Sequence, residues 1–270
     1  MNNIDIKNDQ QLIDLLCNAD KNDLDLLIDY ITDNGKGRLS LSSSVKTLLV
    51  SAKELNEIDE DTLRVLAREL QLYGGNSFVN LFRGNGVDYA EIVDDVLGRL
   101  KIPAQKSASL ARKENLIISK VFENAWEKMS AAQRKEILDS LGMKSTGSLE
   151  ALSVLLPRIG LGGIAAYQIT ALVASSVASM AAGRVIPMVA SFGAGRMLGA
   201  LAGPIGIALT GLYSAYDLAS PAFRVTLPCI VQIAWIRMKS SQHLCGNCSN
   251  QIDDSVKFCP QCGTPVEEKS

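Results

Sequence analysis

The chain has little charge along one long stretch, few aromatics and almost no histidine. Between Ile159 and Ile236 only Arg184, Arg196, Asp217 and Arg224 ionise at neutral pH, whereas charged residues make up 21% of the whole. A segment so poor in charge belongs either inside protein or inside lipid. The one histidine, His243, removes most catalytic schemes that depend on imidazole, a Ser-His-Asp triad among them. Aromatics at 5% leave little for stacking single-stranded nucleic acid, and a formal net charge of −2 gives no bias toward phosphate. Residues Met1 to Gln10 are polar and lack the apolar stretch of a secretory signal. The chain is therefore expected in a reducing compartment, where cysteines serve as metal ligands or core residues.

A sustained alternation of Val, Ile or Thr, as a sheet requires, is also absent. Leu, Ile and Val instead recur at spacings of three and four through the first 157 residues, the pattern of amphipathic helices. Helices are expected through Leu12, Leu15 and Leu16, and through Leu24 to Ile31 up to Asn34-Gly35-Lys36-Gly37. Ser42 or Ser43 should cap the next, and Asp59 or Asp61 the one that stops at Gly74-Gly75. A short helix carrying Phe78, Leu81 and Phe82 follows, then one from Asp88 toward Pro103. Ser109 to Met129, Ser130 to Leu141, and a helix capped by Ser148 and ending near Pro157 complete an all-α region.

Ile159 to Gly183 holds 25 residues without a charge, and Met197 to Tyr216 holds 20. At about 1.5 Å per residue each is long enough for a hydrocarbon layer of roughly 30 Å. Hydrophobicity is less generous, because the first block has eight aliphatic or Met side chains beside seven Ala, four Gly and three Ser. Insertion is then worth only a few kcal/mol. Gly195, Gly199 and Gly203 recur every four positions, with Gly206 just beyond, and allow close backbone approach in a membrane hairpin, an oligomer or a soluble core. Val225 to Ile236 contains Pro228 and is too short to span; it should lie in the interface or pack on the hairpin.

The most specific motif is Cys245-Gly-Asn-Cys248 with Cys259-Pro-Gln-Cys262-Gly263. Two C-x-x-C knuckles facing one another supply four thiolates, the tetrahedral shell of structural Zn²⁺; disulfides or a redox pair are the alternative. Four protein ligands close the coordination sphere, so one such ion would have no hydrolytic role. The interval Ser249 to Phe258 has room for a hairpin, and Gly263 suits a left-handed position. Lys257 and Lys269 are opposed by Asp253, Asp254, Glu267 and Glu268, which favours protein contact over nucleic acid. Cys17 and Cys229, set among apolar residues, read as filler of core or membrane-facing space.

Several strings carry a resemblance. Glu69-Leu70-Gln71-x-Tyr73-Gly74-Gly75-Asn76-Ser77, Arg83-Gly84-Asn85-Gly86 with Tyr89, Trp126-x-Lys128-Met129, Gly203-Pro204-Ile205-Gly206, Arg224-Val225-Thr226-x-Pro228 and Gln232-Ile233-Ala234 resemble the bacterial YaaW family. The likeness covers roughly residues 20–240, with a zinc ribbon appended. It implies helical architecture and a suggested similarity to ubiquinol-cytochrome c chaperones, and it transfers no catalytic residue.

Three regions are expected: a helical domain over 1–157, an apolar Gly/Ala-rich region over 158–240 and a zinc ribbon over 241–270. Asn34 to Arg38 lacks the pattern of a phosphate loop and reads as a turn. Arg83 and Asn85 can offer a guanidinium and amides to an anion or partner, or simply join two helices. The leading expectation is a non-enzymatic, membrane-associated protein whose hairpin inserts or oligomerises in the bilayer, conditionally in its sharper form. Its place would be the cytoplasmic face of the inner membrane, or the cytoplasm until insertion. The other expectation is a soluble helical adaptor or assembly chaperone in which 159–236 is buried core.

Overall fold

The computed structural model describes residues 6–75, 86–141, 143, 147–161, 163–182, 206–207, 211, 222–244, 251–253, 257–259 and 262–265. The architecture is all-α with a small C-terminal ribbon. Five helices pack first: α1 Gln10–Cys17, α2 Lys21–Thr32, α3 Ser43–Leu55, α4 Glu60–Gly75 and α5 Tyr89–Arg99. They are followed by α6 Leu110–Lys128, α7 Ala131–Ser140, a 3-10 turn at Leu149–Ala151, α8 Leu152–Leu161, α9 Gly163–Ala182 and α10 Phe223–Ser240.

Local chemistry explains where these helices start. Ser42 accepts from Val45 N at 3.3 Å, Asp88 from Glu91 N at 2.9 Å and Ser109 from Arg112 N at 3.3 Å. Asp59 accepts from Thr62 N at 2.8 Å, and Ser130 forms a reciprocal box with Gln133. Each satisfies a backbone donor that the first helical turn leaves without a partner. Asp33, Asn34, Gly35 and Gly37 all have positive φ, so the Asn34-Gly35-Lys36-Gly37 string is the left-handed exit from α2. The short helix expected through Phe78, Leu81 and Phe82 lies outside the described residues.

One end differs from expectation. Pro157 does not stop α8, which runs on to Leu161 and across the 157/158 position. Proline removes one amide from the ladder, and a helix survives this where packing holds its sides. Leu155 is fully buried, and α8 packs against α6 and α9.

The molecule is organised around α10. Every residue from Val225 through Ile236 is buried, and the helix touches α9, α2, α6, α4, α5 and α1. A helix apolar all round belongs at the centre of a bundle. The segment once expected to lie in an interface or pack on a hairpin is thus a central strut, packed most extensively on α9. From Ala166 to Ser179 every residue of α9 is buried except the half-buried Gln168. Ala171, Ala174 and Ala178 let its neighbours approach closely. Tyr167 near the start of α9 meets Trp235 near the end of α10, with ring centroids 5.0 Å apart, while Asn34 at the end of α2 donates to Ala181 O at the end of α9. With Asp23 of α2 beside Trp235, helices α2 and α9 run together and α10 runs against them. Among the described residues no helix is long and apolar enough to cross a membrane.

Close approach also explains part of the Gln71-to-Gly86 pattern. A Cβ on Gly74 would come within 2.4 Å of Ile92 Cγ1, and one on Gly86 within 2.5 Å of the Gln71 backbone. Glycine is what lets α4 and the entry to α5 meet.

Candidate functional site

Two polar assemblies stand out, one buried and one at the C-terminus. In the first, Asp23 on α2, 4% exposed, accepts from Gln232 Nε2 at 3.0 Å, Trp235 Nε1 at 3.1 Å and Lys239 Nζ at 2.7 Å. Lys239 also bonds Asp20. Across the helix, Glu114 on α6 is 1% exposed and takes Arg237 in a fork, Nε at 2.8 Å and Nη2 at 3.2 Å, with the Tyr89 hydroxyl at 3.0 Å. Burial pushes the Glu114 pKa up, and the hydrogen bond and charge of Arg237 pull it only part of the way back. Each carboxylate accepts three hydrogen bonds, which make it tolerable in the core. Buried and bound in this way, they fix α10.

A related tie joins the N-terminal segment to α4 and α5. Asp9 accepts from Gln71 Nε2 at 2.6 Å and from Tyr89 N at 2.9 Å, while Gln71 exchanges bonds with the Lys7 backbone. Sequence reading did not find these residues. A charge in the first turn of an amphipathic helix reads as solvated, and only the partner helix shows otherwise. A signal was available in Gln232, Trp235, Arg237 and Lys239, polar groups that close a long apolar run and need partners if it is buried.

The second assembly is the ribbon. Strands β1 Gln242–Leu244 and β2 Gln251–Asp253 pair antiparallel, with His243 opposite Ile252. The described hairpin brackets the first cysteine pair, and of the interval Ser249 to Phe258 the structure describes residues 251–253 and 257–258 alone. The second knuckle has the anticipated form. Gly263 takes φ +72°, its N–H donates to Cys259 O at 2.9 Å, Cys259 N donates to Thr264 O at 2.8 Å, and Phe258 bridges Pro265. Cys259 is buried, Cys262 is exposed, and neither is in a disulfide. This wrapped, αL-closed turn fits a two-thiolate half of a zinc site. Cys245 and Cys248, which would supply the other half, lie outside the described residues.

The remaining candidates divide in the same way. Gly195, Gly199 and Gly203 lie outside the described residues, as do Arg83 and Asn85. At Gly206 an added Cβ would meet nothing within 4 Å. Cys229 is core as expected, its pKa pushed up to about 12 by burial. Cys17 is a correction: it is exposed, at the lip of a cleft of about 300 Å³ formed with Leu16, Leu24, Ile58 and Leu63. Its place late in the short helix α1 turns it outward. Partial burial, then Glu60 and Asp14, push its thiol pKa up, the opposite of what a reactive thiolate needs.

Comparison with known proteins gives two findings. A family model described as a zinc-ribbon domain matches residues 244–266. A UPF0174 protein of Helicobacter pylori strain J99 is 38% identical over 180 residues, which are 66% of this chain and 71% of the relative. The UPF0174 protein YaaW of Escherichia coli K12 is 31% identical over 238 residues, 87% of this chain and 96% of the relative. The chain belongs to the UPF0174 family. The names of these UPF0174 relatives state no reaction. No solved structure matches this UPF0174 chain.

Proposed function

We propose that this protein is a non-enzymatic helical adaptor of the cytoplasm, working through protein contact, with one structural zinc held by Cys245, Cys248, Cys259 and Cys262. The observation that carries the reading is the burial of α9 and α10 among the protein's own charged helices. Once both are core, the chain has no need of lipid to hide them. The buried, ion-paired carboxylates and the raised pKa of Cys17 support a structural and not a catalytic role for these groups. On the ribbon, Phe258 is 61% exposed beside Cys259 and Lys257. An aromatic anchor at the surface of a rigid knuckle is the kind of group that dominates protein contacts.

Flotation tests this directly. The purified chain, mixed at neutral pH with vesicles of phosphatidylethanolamine and phosphatidylglycerol, is expected to stay in the dense fractions as a monodisperse species. Comigration with the vesicles would overturn the core reading.

A second reading is favoured by one observation: Met197 to Tyr216 contains no ionisable group but tyrosine, and Ile207 within it is 63% exposed. Here the segment between α9 and α10, with its Gly195, Gly199, Gly203 and Gly206 row, inserts in a bilayer or pairs with a second copy on a trigger. Leakage of the same vesicles across a range of pH separates the two readings, since the adaptor leaves them sealed throughout.

A further inference from the structure

The ribbon is not hung on a long linker. Only Ser241 separates the end of α10 from β1, and its N–H donates to Arg237 O at 3.2 Å while its hydroxyl donates to Met238 O at 3.0 Å. The Lys239 clamp to Asp20 and Asp23 lies two residues further back. The direction in which β1 leaves the bundle is therefore set by α10. Strand β1 lies against α10 and β2 against α9. Ile252, the middle residue of β2, is 3% exposed yet stands outside the apolar core of the bundle, so the ribbon meets the bundle through the seat of β2 on α9. Because Tyr167 meets Trp235, the ribbon sits where α9 begins and α10 ends.

Helix α9 needs such a fastening. It has no Lys, Arg, Asp or Glu from Gly163 to Ala182, so no ion pair can tie it to its neighbours. We propose that the ribbon is a metal-dependent clasp on the start of α9, with strand β2, centred on Ile252, as the element that lies against it. The inference rests on the zinc reading above and adds a regulatory consequence. A ribbon of this size owes its fold to the metal. When the metal is withdrawn the hairpin loses its register, β2 leaves its seat on α9, and the beginning of α9 loosens while the clamped α10 stays in place. Metal occupancy thereby sets how firmly this uncharged helix is held.

Hydrogen exchange of the full chain tests this after metal analysis has shown zinc. Removing zinc with a high-affinity chelator is expected to speed exchange in peptides from residues 163–175 by roughly tenfold or more, leaving α3 unchanged. Unchanged exchange in α9 after the zinc has gone overturns the clasp, and equal acceleration in α3 overturns it in favour of global unfolding. Ile252→Ser supplies the second arm. With zinc still bound, it should loosen residues 163–175 alone, and normal protection there overturns the proposal. If the variant binds no zinc, it must match the chelated protein, and any greater protection of α9 counts against the clasp. Absence of zinc from the wild-type chain would be a different failure, visible in the metal analysis before any exchange is measured.

Discussion

Helices α9 and α10 share a charge-poor sequence and a common interface, yet they are held by different physics. Helix α10 enters the core carrying polar groups near its end, and each meets a buried partner: Gln232, Trp235 and Lys239 on Asp23, Arg237 on Glu114. Helix α9 brings no charge and settles by shape. Its Ser176 and Ser179 hydroxyls donate to the carbonyls of Leu172 and Ser175 one turn back, and its alanines admit neighbouring helices. Low charge over many residues is therefore not one signal. In α10 it marks a strut fixed in one register by specific buried bonds, and in α9 a helix retained chiefly by close packing, with the bond from Asn34 to Ala181 O at its end.

The largest expected effect comes from breaking the α10 side. Glu114→Ala leaves the Arg237 guanidinium and the Tyr89 hydroxyl without their acceptor in a place where Glu114 itself is 1% exposed. A loss of about 3 kcal/mol or more is expected from urea unfolding, as for other buried pairs that lose one member. A loss below about 1 kcal/mol would mean that water reaches Arg237 freely and that α10 is not clamped.

On the α9 side volume should matter where charge does not. Ala174 is fully buried, so Ala174→Leu forces several heavy atoms into a filled interface, at a cost of about 2 kcal/mol. Urea midpoints check it. A neutral outcome would place slack space beside α9 and remove close packing as its means of retention.

The pH dependence is subtler and, of the two helices compared, concerns the α10 clamp. Burial, the dominant cause, raises the Glu114 pKa from its ordinary 4.5. The folded chain then keeps a proton that the unfolded chain has lost, so this group's contribution is complete below 4.5 and disappears as pH rises through the folded value. Stability should therefore slope downward above pH 4.5, and Glu114→Gln should flatten the slope. Asp9, Asp95 and Glu69, also raised chiefly by burial, keep a residual slope of the same sign in the variant. Parallel curves for the two proteins would show that Glu114 titrates alike folded and unfolded.

Much of this fold was legible because much of it is local. Ser42, Asp59 and Ser130 could be read as helix caps, and Asp88 and Ser109 as helix starts, since a cap is a bond between a side chain and an amide two or three residues away. Gly263 could be read as left-handed for the same reason. Pro157 misled because a helix tolerates proline when its flanks are packed, and packing is a property of α6 and α9, far away in sequence. Asp23 and Glu114 were invisible for the converse reason. Each sits in an amphipathic pattern as one more charge, and its partners lie 209 to 216 residues away for Asp23 and 123 for the Glu114–Arg237 pair. The choice between lipid and core for α9 could not be made from composition, because Ala, Ser and scattered aliphatics are marginal in bilayers and suited to close helix packing. The zinc-ribbon motif was legible as a spacing of cysteines, while the strand pairing of Gln242–Leu244 with Gln251–Asp253 was not.

The smallest expected effect sharpens the contrast most. Ser176 is 1% exposed, and its hydroxyl donates to Leu172 O at 2.8 Å, within its own helix. Ser176→Ala removes a bond to a carbonyl that keeps its helical partner, and with it a hydroxyl that was costly to bury. The two changes nearly cancel, so the midpoint in urea should move by less than about 0.5 kcal/mol equivalent. The same oxygen bonded to another helix would cost more than twice that when deleted. A loss above about 1.5 kcal/mol would thus reveal a polar tie from α9 to a neighbour, and α9 would have to be counted with α10 as a helix held by specific bonds.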